Sequence, residues 1–470
     1  MNTIKLIFYF LFAVFMAANL ASGNILNVPS QYSTIQSAIN ASVNADTVVV
    51  LPGTYTENIN FRGKKIVLTS KFYLTNDYSF LQTTIINGSN PQFPDTASCV
   101  VFNRNEDSTT VLQGFTLTGG KGTKWTDEHG AGLYREGGGI LIAYSSPVIQ
   151  FNIITGNQAI TGGVTSTGGG GMRIGDCFAR VRNNIITNNT ARYGAGVVLN
   201  YTGGEYKNNL IYKNYGSLDF GAGSGLWVNG SNTRPKIVEN NTIVFNSALS
   251  ASAGVFGYFG NSSTFKNNII WGNTSPSLIQ LSASGITVVY CDVQGGTSGT
   301  GNINLDPMFD STNYYIRSNS PCVDKGDSSS AFNDPADPGN PLLAKFPSKG
   351  GLRNDIGAYG GPGSNKIANS IVGIKSLSGN LSPEKFYLNQ NYPNPFNPGT
   401  VISYQLKVSS LVTLKVYDVS GKIVATLVNE KKNAGSYEVK FDGSNLSSGI
   451  YFYTINAGDF VETKQMILLK

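Results

Sequence analysis

A chain of 470 residues with 55 glycines, 13% charged residues and a single histidine is turn-dense, unlike a helical protein, and its length implies two or three domains. The net charge of +6 is mild and comes without a Lys/Arg-rich run, which excludes nucleic acid as an evident partner. Residues 1–23 carry Lys5, an apolar run from Leu6 to Ala18 and the small residues Ala21, Ser22 and Gly23, the pattern of a cleavable secretory signal. That run is shorter than the roughly 20 residues needed for a membrane span, and no later segment is apolar enough, so no transmembrane segment is expected after its removal.

From the signal to about residue 362 the chain repeats itself. The phrases "FNIITGN", "NNIITNN", "NNLIYKN", "NNTIVFN" and "NNIIWGN" align on Asn152, Asn184, Asn209, Asn241 and Asn268, at intervals of 32, 25, 32 and 27 residues. Periods of roughly 20 to 50 residues mark stacked repeat proteins. Two residues past each anchor stand Ile154, Ile186, Ile211, Ile243 and Ile270, and three before it Ile149, Val181, Tyr206, Val238 and Phe265. These columns are the predicted core. A Gly-rich start and a short alternating strand precede each phrase, as in "GGGGMRIGD" and "GAGVVLNY", which argues for strand over helix. One copy cannot bury its apolar face alone, so copies must stack, with parallel strands about 4.8 Å apart. Asn suits the corner between strands because it tolerates a left-handed backbone, and stacked amides can bond from coil to coil.

With those columns in place, residues 24–362 resemble the right-handed parallel β-helix proteins of the pectate-lyase-like superfamily. The stretch "VPSQYSTIQSAINASVNADTVVVLPGTYTENI" is similar to that group's N-terminal cap, with a short helix from about Ile35 and a first coil strand from Thr47 to Leu51. The closing "NLDPMFDSTNYYIRSNSPCVDKGD" and "RNDIGAYGG" resemble the last coils of secreted bacterial members.

Residues 363–384 form a Ser/Asn-rich connector, and residues 385–470 change character. Alternating strands with a "DVSGK" turn predict a small immunoglobulin-like β-sandwich. The phrases "YPNPFNPGT", "VYDVSGK" and "LSSGIYFYTI" resemble the type A C-terminal sorting domain of type IX secretion substrates. That resemblance implies export across the outer membrane and a mature protein that is released or held at the cell surface. The expected architecture is therefore all-β, a right-handed parallel β-helix followed by a small β-sandwich.

Four cysteines, Cys99, Cys177, Cys291 and Cys322, allow three pairings in an oxidising compartment. Cys291 with Cys322 is preferred because both lie at the end of the first domain. They show no CxxC spacing and no neighbouring histidine, so zinc is not expected.

Chemistry in the coils is sparse. Between residues 130 and 290 the carboxylates are Glu136, Asp176, Glu205, Asp219 and Glu239, against ten bases: Arg135, Arg173, Arg180, Arg182, Arg192, Lys207, Lys213, Arg234, Lys236 and Lys266. Such an excess would steer an acidic polysaccharide toward the coils. Alternation turns Ile140, Met172, Val197, Leu226 and Val255 inward and Leu141, Arg173, Val198, Trp227 and Phe256 outward, with Asn229 and Tyr258 continuing the outward row. Trp227, Phe256, Tyr258 and Asn229 are the expected sugar-binding residues, unless an outer loop or the tail covers the strip. Uronate lyases of the resembled superfamily use an Arg or Lys base with acidic Ca²⁺ ligands, and Arg173 with Asp176 is the nearest approach to such a pair. The superfamily's motifs for polygalacturonases, pectinesterases and pectate lyases are missing. His129 in "WTDEHG", beside Asp127 and Glu128, reads as an exposed loop, and "NDPADPGN" reads as a Pro-kinked loop whose Asp334 and Asp337 also offer carboxylates for Ca²⁺. Two readings remain open: a β-helix that binds polysaccharide or serves the cell surface, and a divergent lyase of acidic polysaccharide.

Overall fold

The computed structural model describes residues 23–364 except 128, 160–162, 218–220, 231–232, 259–261 and 311–313, and residues 386–469 except 389, 392–393 and 434. The expected signal (apart from Gly23) and most of the connector lie outside the described residues. The chain divides into two compact units, residues 1–374 and 375–470.

In the first unit each copy becomes one coil of a parallel solenoid, and a coil crosses three long sheets. A ten-stranded sheet runs from Ile25–Val28 to Ile286–Val289, a nine-stranded sheet from Gly53–Tyr55 to Asp292–Val293, and an eight-stranded sheet from Ile59–Asn60 to Leu281–Ser282. The Gly-led strands Ile140–Ala143, Met172–Gly175, Val197–Asn200, Leu226–Asn229 and Val255–Gly257 lie in the eight-stranded sheet. Helix Ile35–Ala41, with a capping box between Thr34 and Ser37, turns its buried Ile35, Ala38 and Ile39 onto the first coils. The expected inward columns meet in one buried core: Ile140, Met172, Val197, Leu226 and Val255 face Ile149, Val181, Tyr206, Val238 and Phe265 and the Ile154 to Ile270 series. Burial of such side chains contributes about 1.5–3 kcal/mol each. The Gly-rich starts have a steric cause. A Cβ at Gly171 or Gly196 would lie 2.5 Å from the carbonyl oxygen of Gly196 or Gly225 in the next coil, so a larger residue would push the stack apart.

The doubled asparagines divide two tasks between them. In "NNIITNN" Asn184 is fully buried. Its Nδ2 donates to the carbonyls of Ile149 (2.9 Å) and Arg182 (3.0 Å) and to Asn209 Oδ1 (3.0 Å). Asn209 passes the pattern to Asn241 and Asn241 to Asn268, giving a ladder in which each buried amide is satisfied by its neighbours. A second ladder runs Asn157, Asn189, Asn214, Asn246, Asn273 and ends on Gln280. The left-handed corner falls one residue earlier than the sequence suggests, on Asn183, Asn208, Asn240 and Asn267, each with φ between 50° and 55°. Three of these outer asparagines hold a strap from the C-terminal end of the unit. Asn240 Nδ2 donates to the carbonyls of Asp355 and Gly357, Asn208 Nδ2 to those of Ala358 and Gly360, and Asn183 Nδ2 to that of Gly363.

The second unit is antiparallel. A three-stranded sheet (Tyr387–Leu388, Gly399–Leu406, Gly435–Asp442) and a four-stranded sheet (Ile423–Lys432, Ser410–Tyr417, Gly449–Ala457, Phe460–Leu468) share a core that includes Phe396, Tyr404, Leu414 and Tyr453. The expected "DVSGK" turn forms with Asp418 Oδ1 accepting from the amides of Ser420 and Lys422, and Gly421 at φ 81°.

Candidate functional site

The outward row is in register, as expected: Leu141, Arg173, Val198, Trp227 and Phe256 are successive partners across the Gly-led strands. Its first part is not open. The hairpin Gly122–Thr126 and Leu133–Glu136 belongs to a separate small sheet with Ser166–Gly168, and the row beneath is buried, with Leu141 and Arg173 at 0%, Val198 at 1% and Trp227 at 7% exposure. Tyr193, Val198, Ala222 and Trp227 form a small core of their own, with Tyr134 and Phe256 against it.

Arg173 and Asp176, the expected catalytic pair, have different partners. Arg173 Nε lies 3.0 Å from Glu136 Oε2 and its guanidinium 5.9 Å from the Trp125 ring. The Tyr193 hydroxyl donates to Glu136 Oε1 at 2.6 Å. A fully buried, ion-paired guanidinium is a structural strut in a dry setting and has no path to a polymer's proton. Asp176 sits at the corner after its strand with φ 50°. It takes Arg234 on Oδ1 and His129 Nε2 on Oδ2, the latter at 3.1 Å. His129 in turn stacks on Tyr201, ring centroids 3.7 Å apart. The hairpin tip, read as an exposed loop, is thus pinned to two successive coils; Glu128 beside it lies outside the described residues.

The expected binding residues do come together. Trp227 stacks on Phe256 (centroids 5.1 Å) and on Tyr258 (5.8 Å), and Tyr193 packs against it at 4.9 Å. Tyr258 is 51% exposed. Asn229 Nδ2 donates to Asn200 Oδ1 at 2.8 Å, and Asn200 Nδ2 reaches Asp127 Oδ2 at 3.4 Å. A line of rings and amides therefore leads from Tyr258 back to His129 and Asp176.

Comparison with known proteins agrees with both units. Residues 85–293 match the right-handed β-helix region family, and residues 390–469 match the secretion system C-terminal sorting domain. The chain is a right-handed β-helix protein with a C-terminal secretion sorting domain. Its sorting domain directs it through type IX secretion to the cell surface or the extracellular space. No curated protein matches the chain. Among solved structures it is similar to PorZ, an essential bacterial surface component of the type-IX secretion system of human oral-microbiomic Porphyromonas gingivalis. That likeness is 20% identity over 20% of this chain and 13% of the PorZ chain, with a TM-score of 0.14, too low to bear on fold.

The charge excess of the β-helix does not gather on the aromatic row. Arg180 and Arg182 are exposed on the ten-stranded sheet, with buried Val181 between them. Lys207 lies near Glu239 (3.6 Å) and Lys266 near Asp327 (2.7 Å). Lys236 is fully buried, its Nζ without a hydrogen-bond partner among the described residues, and desolvation lowers its pKa to about 8. Asp219 lies outside the described residues.

The preferred disulfide does not form. All four cysteines are free and buried. Cys291 takes the next anchor position after Asn268, whose backbone N–H donates to its sulfur at 3.3 Å, and Cys322 Sγ donates to Asp292 Oδ2 at 3.2 Å. Burial pushes the Cys99 and Cys291 thiols up to about 12, which makes them unreactive. The carboxylates offered for Ca²⁺ are also spent separately. Asp334 is buried and accepts from the amides of Asp355 and Gly361, while Asp337 accepts from that of Gly339. Among the described residues no group of three or more His, Cys, Asp or Glu side chains is placed to hold a metal.

Proposed function

We propose that the exported β-helix binds polysaccharide along the outward row of its Gly-led face. The observation that carries this reading is the stack of Phe256 and Tyr258 on Trp227, half open at Tyr258 and flanked by the partly exposed Asn229. Flat rings take the apolar faces of sugars, and amides pair with their hydroxyls. Electrophoresis of the purified protein through gels containing glycans tests it: at least one glycan should retard migration, and Tyr258→Ala should release it. Retention by none, or retention indifferent to Tyr258, would sink the proposal.

A second reading, a polysaccharide-cleaving enzyme, is favoured by the contact of His129 with Asp176, since a carboxylate-held imidazole is a common proton-transfer group. Under it, incubation with uronate polymers and Ca²⁺ would yield an unsaturated, absorbing product, and His129→Ala or Asp176→Asn would abolish it.

A further inference from the structure

We infer that the glycan taken by the outward row is uncharged, although the coils as a whole are basic. The inference rests on the binding reading and names the ligand class of that same site. Across the last three Gly-led strands the row presents Val198, Trp227, Phe256, Asn200, Asn229 and Tyr258, none of them charged. Toward the earlier coils the carboxylates it meets among the described residues are Asp127 and Asp176, the latter ion-paired with Arg234. Of the cations near them, Arg234 is held by Asp176 and Arg173 by Glu136, Arg135 and Lys124 share Asp95, and Arg192 donates to Ser166 Oγ. An anionic polymer on this row would approach the Asp127 carboxylate, and Arg234 and Arg173 would each have to leave an acid to greet it. Such a ligand gains nothing from the field. The Asn200 and Asn229 amides are spent on each other and on Asp127, so the open part of the row is the neutral ring of Tyr258, which suits the apolar face of a sugar.

The solvent-facing positive charge leaves the coil in another direction. Arg180 and Arg182 project from the ten-stranded sheet, whereas the row belongs to the eight-stranded one. Any acidic polymer attracted by the net charge should settle there through screened, sequence-tolerant contacts. The two modes of binding are separable by salt and by position.

The experiment compares the purified protein, Tyr258→Ala and the double variant Arg180→Glu/Arg182→Glu. Probes are neutral glucan, xylan and mannan, and acidic polygalacturonate and alginate, at about 0.01 M and 1 M NaCl, where the screening length falls from about 30 to about 3 Å. A neutral glycan should bind alike at both salts, weaken about tenfold in Tyr258→Ala, the loss expected for removing one stacked ring, and ignore the arginine changes. Acidic polymer should bind only at low salt, vanish in the double variant and ignore Tyr258. Acidic polymer held through Tyr258 would overturn the inference while leaving the binding reading intact. Binding of no probe that depends on Tyr258 would overturn the reading and the inference with it.

Discussion

The inner asparagine columns and the outward row occupy the same coils under opposite rules. Inward, every coil repeats the last: Asn184, Asn209 and Asn241 each donate to the next asparagine at the same 3.0 Å. Outward, the leading position differs in each of five coils, as Leu141, Arg173, Val198, Trp227 and Phe256 follow one another in register. The inner columns set the spacing, and that leaves each outward position able to change alone. Repetition carries the fold here and variation is where recognition can reside.

The sharpest challenge to this contrast is Arg173, an outward residue buried like a core residue. Arg173→Met should cost about 3–5 kcal/mol in chemical denaturation, because Glu136 is left charged beneath the hairpin. A loss below about 1 kcal/mol would show that the hairpin does not seal the row. Lys236 is the reverse exception, an inward residue that breaks the repeat. Lys236→Met should raise stability by on the order of 3 kcal/mol at neutral pH, since its ammonium is buried with no hydrogen-bond partner among the described residues and its lowered pKa reflects that penalty. Asn209→Ala, within the ladder, should cost about 2 kcal/mol by stranding the backbone N–H of Asn184, whose Nδ2 keeps the carbonyls of Ile149 and Arg182. Hydrogen exchange should then report faster opening of the adjoining coils.

Acidity probes the strap. Burial raises the carboxyl of Asp334 to about 8 and that of Asp355 to about 7, with their mutual repulsion adding to the first. The folded state thus binds protons more tightly than the unfolded chain, whose aspartates titrate near 3.9. Their stabilising effect is complete below that value and is lost as pH rises through 7 to 8. Melting should therefore occur at higher temperature at pH 5 than at pH 9, and the gap should narrow in Asp334→Asn. The smallest expected change is in Tyr258→Ala, whose stability should stay within about 0.5 kcal/mol while glycan binding falls. A large drop in melting temperature would make Tyr258 part of the scaffold.

The columns were legible because each is written at least five times, so a single pattern of Asn and Ile two residues on identifies them. The in-register stack of Trp227 and Phe256 followed from the same alignment. What covers the row was not legible. The 37-residue gap between Phe115 and Asn152 marks an insertion, and alternation in "GTKWT" and "LYRE" around glycines hints at the hairpin, but nothing local says where it lands. Glu136 meets Arg173, and Arg234 meets Asp176 58 residues away across an intervening coil, only because stacking brings the coils together. Oxidising export suggested a disulfide, yet the better guide was the column: "YCDV" stands where "NNII" is due, 23 residues after Asn268, which assigns Cys291 to the ladder.

That ladder has distinct ends. Between Asn152 and Asn268 every rung accepts from the copy before and donates to the copy after, whereas the far end meets a thiol that closes the series. A duplicated copy inserted between two rungs would arrive with its own Asn, its own Ile and its own glycine, and would fit the ladder on both sides. Lengthening by internal duplication is thus easiest outside the coils that the strap ties through Asn183, Asn208 and Asn240, where an added copy would also stretch the strap. Each added copy would also extend the outward row by one position, free from the outset to diverge.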